Sequence, residues 1–290
     1  MHTTLQSRNS TVVIGHDQPF CVIGERINPT GRKAFAEELR GGDLSTVTAD
    51  AIAQVTAGAD MLDVNAGIPL VDESELLATM LQTVQATVDA PICIDSSVIE
   101  ALEAGLAVYE GKALVNSVTG EDERLEEILP LVAKHGAAVI GLANDETGIP
   151  ETPQQRLEIA TKIVKVCGDY GIPPEDVVID PLAMTVGADT EAVTTTLETI
   201  RLIRDNLGVN MSLGASNVSF GLPERHVLNA GFLPMAMAAG LTSAIMSTAK
   251  VCVDAVRSSD LLLGHDPWGA NWIAEHRRRV KAAEEALAAT

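Results

Sequence analysis

The chain has 290 residues, 46% of them hydrophobic, with 40 acidic against 20 basic side chains, a formal charge of −20 and a pI near 4.5. That length and apolar content suffice for the core of one α/β barrel, which needs roughly 250 residues. The acid surplus excludes a nucleic-acid binder, because phosphate contacts need an excess of Lys and Arg, and no run of about 18 apolar residues supplies a membrane span.

The first ten residues (MHTTLQSRNS) lack a basic region followed by an apolar run, so no leader and a cytoplasmic location are expected. Thr11 to Ile14 and Phe20 to Ile23 are short β-type runs separated by the turn residues Gly15 to Pro19; the pattern predicts that they pair as a hairpin leading into the first barrel strand. Glu25, Arg26 and Asn28 follow at once, before Pro29, Thr30 and Gly31 force a loop. Three polar side chains at one strand tip exceed what capping requires.

From there strand and helix alternate. Leu44 to Thr56 reads as a helix closed by Gly58, Met61 to Val64 as a strand and Glu73 to Thr87 as a helix. The run Pro91 to Ile94 delivers Asp95 to a strand tip, with Ser96 or Ser97 expected to start the next element as a cap. Helices over Ile99 to Tyr109, Glu121 to Lys134, Gln154 to Asp169, Thr190 to Asn206 and Leu228 to Ala239 then alternate with strands over Lys112 to Val115, Ala137 to Leu142, Val177 to Ile179, Met211 to Gly214 and Ser243 to Met246. Counted from Cys21, the strands predict a single (β/α)8 TIM barrel over 1–290, with residues 1–20 an N-terminal hairpin extension and 271–290 a C-terminal helix. Arg277, Arg278, Arg279 and Lys281 on that helix read as a solvated face. The four widely spaced cysteines, Cys21, Cys93, Cys167 and Cys252, read as small core residues.

Parallel barrel strands bring their C-terminal tips together, where active sites lie. Asp63, Asn65, Asp95, Asn116, Asn144, Asp180 and Asn217 would there form a ring of carboxylates and amides. No GxxxxGK[ST] or GxGxxG segment offers a phosphate cradle, no HxxxH or HExxH pair offers a metal site, and no histidine sits at a tip to activate a nucleophile. Any one of these residues alone reads as a cap or a satisfied buried amide. Recurring at successive tips, they suit a flat heterocycle with adjacent N–H groups: a carboxylate accepts two parallel hydrogen bonds, and an amide both donates and accepts. A pterin has that edge.

The segments GERINPTG (Gly24 to Gly31), LDVNAG (Leu62 to Gly67), IDSS (Ile94 to Ser97), VNS (Val115 to Ser117), IDPL (Ile179 to Leu182) and SNVSFG (Ser216 to Gly221) carry a resemblance. In order and approximate spacing they resemble the pterin-binding methyltransferases, which include methyltetrahydrofolate:corrinoid/iron–sulfur-protein methyltransferase and the folate-binding module of cobalamin-dependent methionine synthase. The resemblance implies that Asp95, Asn116 and Asp180 hold the pyrimidine edge of the pterin and that Asn217 stands beside the methyl-bearing nitrogen, with Asn217 and Asp180 the catalytic pair. Glu25, Asn28, Asp63 and Asn65 match motif positions lining the same mouth, and Arg225 falls where a basic residue would meet the folate tail.

It further implies 5-methyltetrahydrofolate as substrate, cobalamin or another corrinoid carried on a partner protein, and a homodimer. With no DxHxxG motif and no cysteine cluster, the chain is expected to be one component of a split methionine synthase or of a catabolic demethylation system. Dihydropteroate synthase is the enzyme rival, although Ser216, Asn217 and Val218 stand where that family carries an SRK-type segment. A non-catalytic pterin-binding subunit is the other.

Overall fold

A computed structural model describes residues 1–288. Its elements are strands β1 (His2–Gln6), β2 (Thr11–Gly15) and β3 (Cys21–Ile27), helices α1 (Lys33–Arg40) and α2 (Ser45–Thr56), then β4 (Met61–Asn65), α3 (Glu73–Thr87), β5 (Ile92–Asp95), α4 (Ile99–Val108), β6 (Leu114–Thr119), α5 (Asp122–His135), β7 (Ala138–Leu142), α6 (Pro153–Asp169), β8 (Val177–Asp180), α7 (Ala192–Asn206), β9 (Asn210–Met211), α8 (Arg225–Ala239), β10 (Ser243–Met246), α9 (Lys250–Leu263) and α10 (Ala270–Ala288). The expected barrel is present. Eight parallel strands run in the order β10-β3-β4-β5-β6-β7-β8-β9, and β1 and β2 form a separate antiparallel pair. The last two residues of the expected C-terminal helix, 289–290, lie outside the described residues.

Strand β9 is shorter than the expected Met211 to Gly214, and side chains complete the seam between it and β10. Ile245 N–H donates to Leu213 O at 2.9 Å. Thr242 Oγ1 accepts from Met211 N–H and donates to Met211 O, both at 2.9 Å, and Ser243 Oγ donates to the same carbonyl at 3.0 Å. These hydroxyls satisfy backbone groups that a two-residue strand cannot pair with its neighbour.

Alternation along each strand divides the core in two. Val22, Leu62, Ile94, Val115, Val139 and Ile179 face the helices. Cys21, Ile23, Met61, Cys93, Leu114, Ala138, Ile140 and Val178 pack together in the lumen, joined by Leu5 and Ile14 from the hairpin. The hairpin is therefore a plug at the N-terminal end of the barrel. It is held by Asn210 Nδ2, which donates to Thr3 Oγ1 at 2.9 Å and Ile14 O at 3.0 Å, and by a reciprocal backbone pair between Gln6 and Lys112 at 3.0 Å.

Three local expectations are corrected. Thr11–Gly15 pairs with His2–Gln6 and not with Phe20 to Ile23; both edges of β3 are taken by its parallel neighbours β10 and β4. Neither Ser96 nor Ser97 caps α4. Ser96 Oγ accepts from Val98 N–H at 3.0 Å in a local turn, and its hydroxyl donates to Glu73 across the mouth. Helices α1 and α9 also form, at segments left without a helix in the sequence reading. The four cysteines are buried and unpaired with one another.

Candidate functional site

The period of two fixes what stands at the barrel mouth. Continuing the lumen parity, Cys21 and Ile23 lead to Glu25, Met61 to Asp63 and Asn65, Cys93 to Asp95, Leu114 to Asn116, and Val178 to Asp180. The inward layer is apolar near the plug and polar at the opposite end. Register brings Asn65 opposite Asp95 and Asp95 opposite Asn116. Ladder irregularities follow Gly24 in β3 and Asn116 in β6, both at the mouth, where bulges commonly re-aim side chains.

Asp63, Asn65, Asp95 and Asn116 form one cluster. Asn116 Nδ2 donates to Asp63 Oδ1 at 3.1 Å. Asn65 Oδ1 accepts from Gly67 N–H at 2.8 Å, leaving its amide N–H groups for Asp95. Burial, and then the nearby Asp95 carboxyl, push Asp63 well above the ordinary carboxylate range. Burial raises Asp95 to about 6, held back by the Asn65 amide.

Asp180 lies farther round the ring, in register with Leu142. Burial raises it to about 7, against the pull of the Leu182 N–H, which donates to its Oδ1 at 2.7 Å, and of the Arg156 guanidinium. Arg156 is only 3% exposed. It reaches from α6 to Pro150 O (3.1 Å), Pro181 O (3.0 Å) and Leu182 O (2.8 Å), tying together the loops that follow β7 and β8.

Asn217 sits in a short 3-10 turn, Ala215–Ser219, with an exposed side chain that makes no hydrogen bond among the described residues. A Cβ at Gly214 would lie 3.0 Å from its Nδ2, so glycine there leaves the amide room. The turn is anchored through Ser216. Its hydroxyl donates to Glu25 Oε1 at 2.9 Å and accepts from Asn229 Nδ2 at 3.1 Å. Burial raises the Glu25 carboxyl, partly offset by that Ser216 bond. Asn144 stands half-buried after β7, and its side-chain amide makes no hydrogen bond among the described residues.

Two expected residues are engaged locally. Asn28 Oδ1 accepts from Thr30 N–H at 2.9 Å, which shapes its own loop. Arg225 donates to Ser216 O at 2.7 Å and to Ser219 Oγ at 3.2 Å, fastening the turn that carries Asn217. The sequence reading missed Glu73, Arg156, Ser216 and Asn229. Arg156 and Asn229 share a usable signal, since each is a polar residue in phase with the buried stripe of its helix, Arg156 with Ala160, Ile163 and Cys167, Asn229 with Phe232, Leu233 and Ala236.

A cavity of about 510 Å³ between α2, α9 and α10 is remote from this ring. Among the described residues no group of three or more His, Cys, Asp or Glu side chains could hold a metal ion, and no helix is long and apolar enough to cross a membrane.

Over residues 24–247 the chain matches the family described as pterin binding enzyme. It is 33% identical over 252 residues to a methylcorrinoid:tetrahydrofolate methyltransferase of Eubacterium limosum, covering 84% of this chain and 92% of that one. It is 34% identical over 264 residues to the methionine synthase of Mycobacterium tuberculosis, covering 86% of this chain and 22% of that longer protein. Among solved structures, the fold is similar to Yersinia pestis dihydropteroate synthase with a pterine-sulfa conjugate (TM-score 0.68, 16% identity, 91% of this chain and 100% of that one). It is equally similar to the Xanthomonas albilineans dihydropteroate synthase with 4-aminobenzoic acid (TM-score 0.68, 18% identity, 90% and 98%). At those identities the likeness concerns the fold alone. The chain belongs to the pterin-binding enzyme family.

Proposed function

We propose that this chain, acting as a single domain, moves the methyl group of 5-methyltetrahydrofolate to or from the cobalt of a corrinoid carried on a separate protein. The observation that carries the reading is the lumen's polar layer, in which buried acids and amides ring one opening and the Asn217 amide, without a hydrogen bond among the described residues, stands at its edge. The relatives' names support it, and they leave open whether the chain serves a split methionine synthase or a catabolic demethylation.

In this reading Asp95, Asn116 and Asp180 hold the pyrimidine edge, and Asn65, Asp63 and Glu25 stand behind them. In transfer to the corrinoid, the C–N bond breaks with its electron pair left on nitrogen, which must end as N–H, so one proton has to arrive. A tertiary amine is a poor leaving group until that proton is in place. Asn217 cannot supply it as an acid, but its carbonyl can accept from the protonated nitrogen and favour the charged form. The corrinoid supplies the cobalt nucleophile, and the chain supplies positioning and electrostatics.

Dihydropteroate synthase chemistry expels pyrophosphate and calls for cations at the mouth. Here the corresponding segment offers an amide, and Arg225 is committed to the Asn217 turn. The testing experiment mixes the protein with 5-methyltetrahydrofolate and reduced cob(I)alamin, free or on candidate carrier proteins, and follows the visible spectrum for methylcobalamin. Formation of methylcobalamin supports the transferase. Folate binding without transfer to any carrier would leave a binding subunit, and absence of folate binding would end the pterin reading. A homodimer is part of the proposal, and sedimentation equilibrium tests it.

The raised carboxyls give a pH signature. Asp95 and Asp180, at about 6 and 7 against an ordinary 3.8, hold extra protons in the folded state. Their contribution to stability is complete below pH ~3.8 and is lost as pH rises through ~6 to ~7. A ligand presenting N–H donors needs the ionised forms, so binding strengthens over the same interval. The rise in Tm caused by tetrahydrofolate is therefore expected to be larger at about pH 8 than at about pH 5.5. A ligand-induced rise that is flat or falls with pH would contradict this assignment.

A further inference from the structure

Asp63 is 2% exposed and sits one inward step below Asn65, too deep in the lumen to be the first group a ligand meets. It touches the Cys93 thiol, the Asp95 carboxyl and the Asn116 amide, and of these Asn116 is the amide whose orientation it can set. The bond from Asn116 Nδ2 to Asp63 Oδ1 is the single hydrogen bond of the Asn116 side chain among the described residues. The Asn116 backbone is fixed as well, its carbonyl accepting from Ser96 N–H at 3.0 Å. One amide hydrogen therefore points inward, while the carbonyl oxygen and the second N–H remain for the mouth. An amide held in this way presents an acceptor beside a donor. Without an inward partner it can turn over and exchange the two.

We infer that Asp63 is the specificity-determining positioning residue of the mouth: by fixing the Asn116 amide in one orientation it makes the site select the reduced pterin ring over the oxidised one. The inference rests on the pterin reading and deepens it. A reduced pterin carries N8–H beside the N1 lone pair, a donor next to an acceptor, and the fixed amide matches both. A fully oxidised pterin carries bare lone pairs at N8 and N1, so the fixed carbonyl oxygen faces N8 with nothing between them. The two carboxylates, Asp95 and Asp180, suit the remaining N3–H and 2-amino donors, which are the same in both oxidation states and cannot tell them apart.

Asp63 is suited to the task in either protonation state. Burial and the adjacent Asp95 favour its neutral form; any proton placed on Oδ2 leaves Oδ1 to accept from Asn116. Its other hydrogen-bonding neighbours, the Cys93 thiol and the Asp95 carboxyl, are protein groups beside it, so this buried carboxyl enforces the amide's orientation without competing for the ligand.

The test is anaerobic titration calorimetry of tetrahydrofolate and folic acid against the wild type, Asp63→Leu and Asp63→Asn. Leucine has a similar shape without an acceptor, and asparagine can still accept through its own carbonyl. The wild type is expected to favour tetrahydrofolate, Asp63→Leu to shrink the ratio of the two dissociation constants by about tenfold or more, and Asp63→Asn to keep it within about threefold of wild type. A purely structural loss weakens both compounds alike and leaves the ratio unmoved, and that result overturns the inference while leaving the pterin reading intact. If leucine is not accommodated in the lumen, Asp63→Ala gives the same readout. A wild type that binds neither compound overturns the pterin reading and the inference with it.

Discussion

Replacing Asn217 with alanine is expected to lower the rate of methyl transfer at saturating folate by about 10²–10³-fold, the usual effect of removing one preorganised group from a developing charge. Tetrahydrofolate affinity should stay within about threefold of wild type, because the proposed function puts pterin recognition on β5, β6 and β8. The separation follows from the structure: the amide makes no hydrogen bond among the described residues, and its turn is pinned by Ser216, Glu25, Asn229 and Arg225, none of which the alanine variant removes. Single-turnover kinetics with equilibrium binding checks it. Full transfer activity in Asn217→Ala would remove the residue from the mechanism. Equal losses in binding and rate would make it a recognition residue instead.

Arg156→Met should produce the largest effect on binding of any residue that does not line the mouth. The buried Pro150 and Pro181 carbonyls lose their donor, and Leu182 O keeps only the Thr196 hydroxyl, which predicts a fall in stability of about 2–4 kcal/mol. Asp180 also loses a favourable cation, so its carboxyl rises further and ionises only at higher pH. Folate affinity at neutral pH is expected to fall at least about tenfold, and part of the loss to return when the pH is raised by about one unit. Loop disorder alone would lower affinity without moving the midpoint of the pH profile. A midpoint that stays in place therefore refutes the electrostatic half of this argument.

Much of the fold and of the ring was legible because one pattern encodes both. A strand buried on two faces reads as an apolar run, and the first polar residue after it marks the tip. The run Ile92 to Asp95 shows this, and inward parity from Cys93 predicts where Asp95 points. Hydrogen bonding between distant segments was not legible. Nothing in the local sequence of Ser216 names Glu25, 191 positions away, and nothing in Ser96 names Glu73. The hairpin was assigned the wrong partner for a related reason, since β-type runs show that strands exist and not which edges are already taken. Arg156 and Asn229 lay in plain view as polar residues on buried helical stripes, and Gln54 of α2 is a third, accepting from Arg26 N–H at 2.8 Å. Polar residues in helical phase with the core are therefore worth reading as supports for the loops above them.

The plug formed by Leu5 and Ile14 has a kinetic consequence. With its far end filled, the barrel is a cup with one doorway, and under the proposed function that doorway must serve two visitors of very different size. A folate already seated can be covered by a corrinoid protein. A corrinoid protein already seated would bar the folate. Turnover should then be ordered, with folate first in and last out when it is the methyl donor. Excess carrier protein should inhibit by trapping the demethylated folate beneath it, and raising the folate concentration should relieve that inhibition only where it competes for the empty cup.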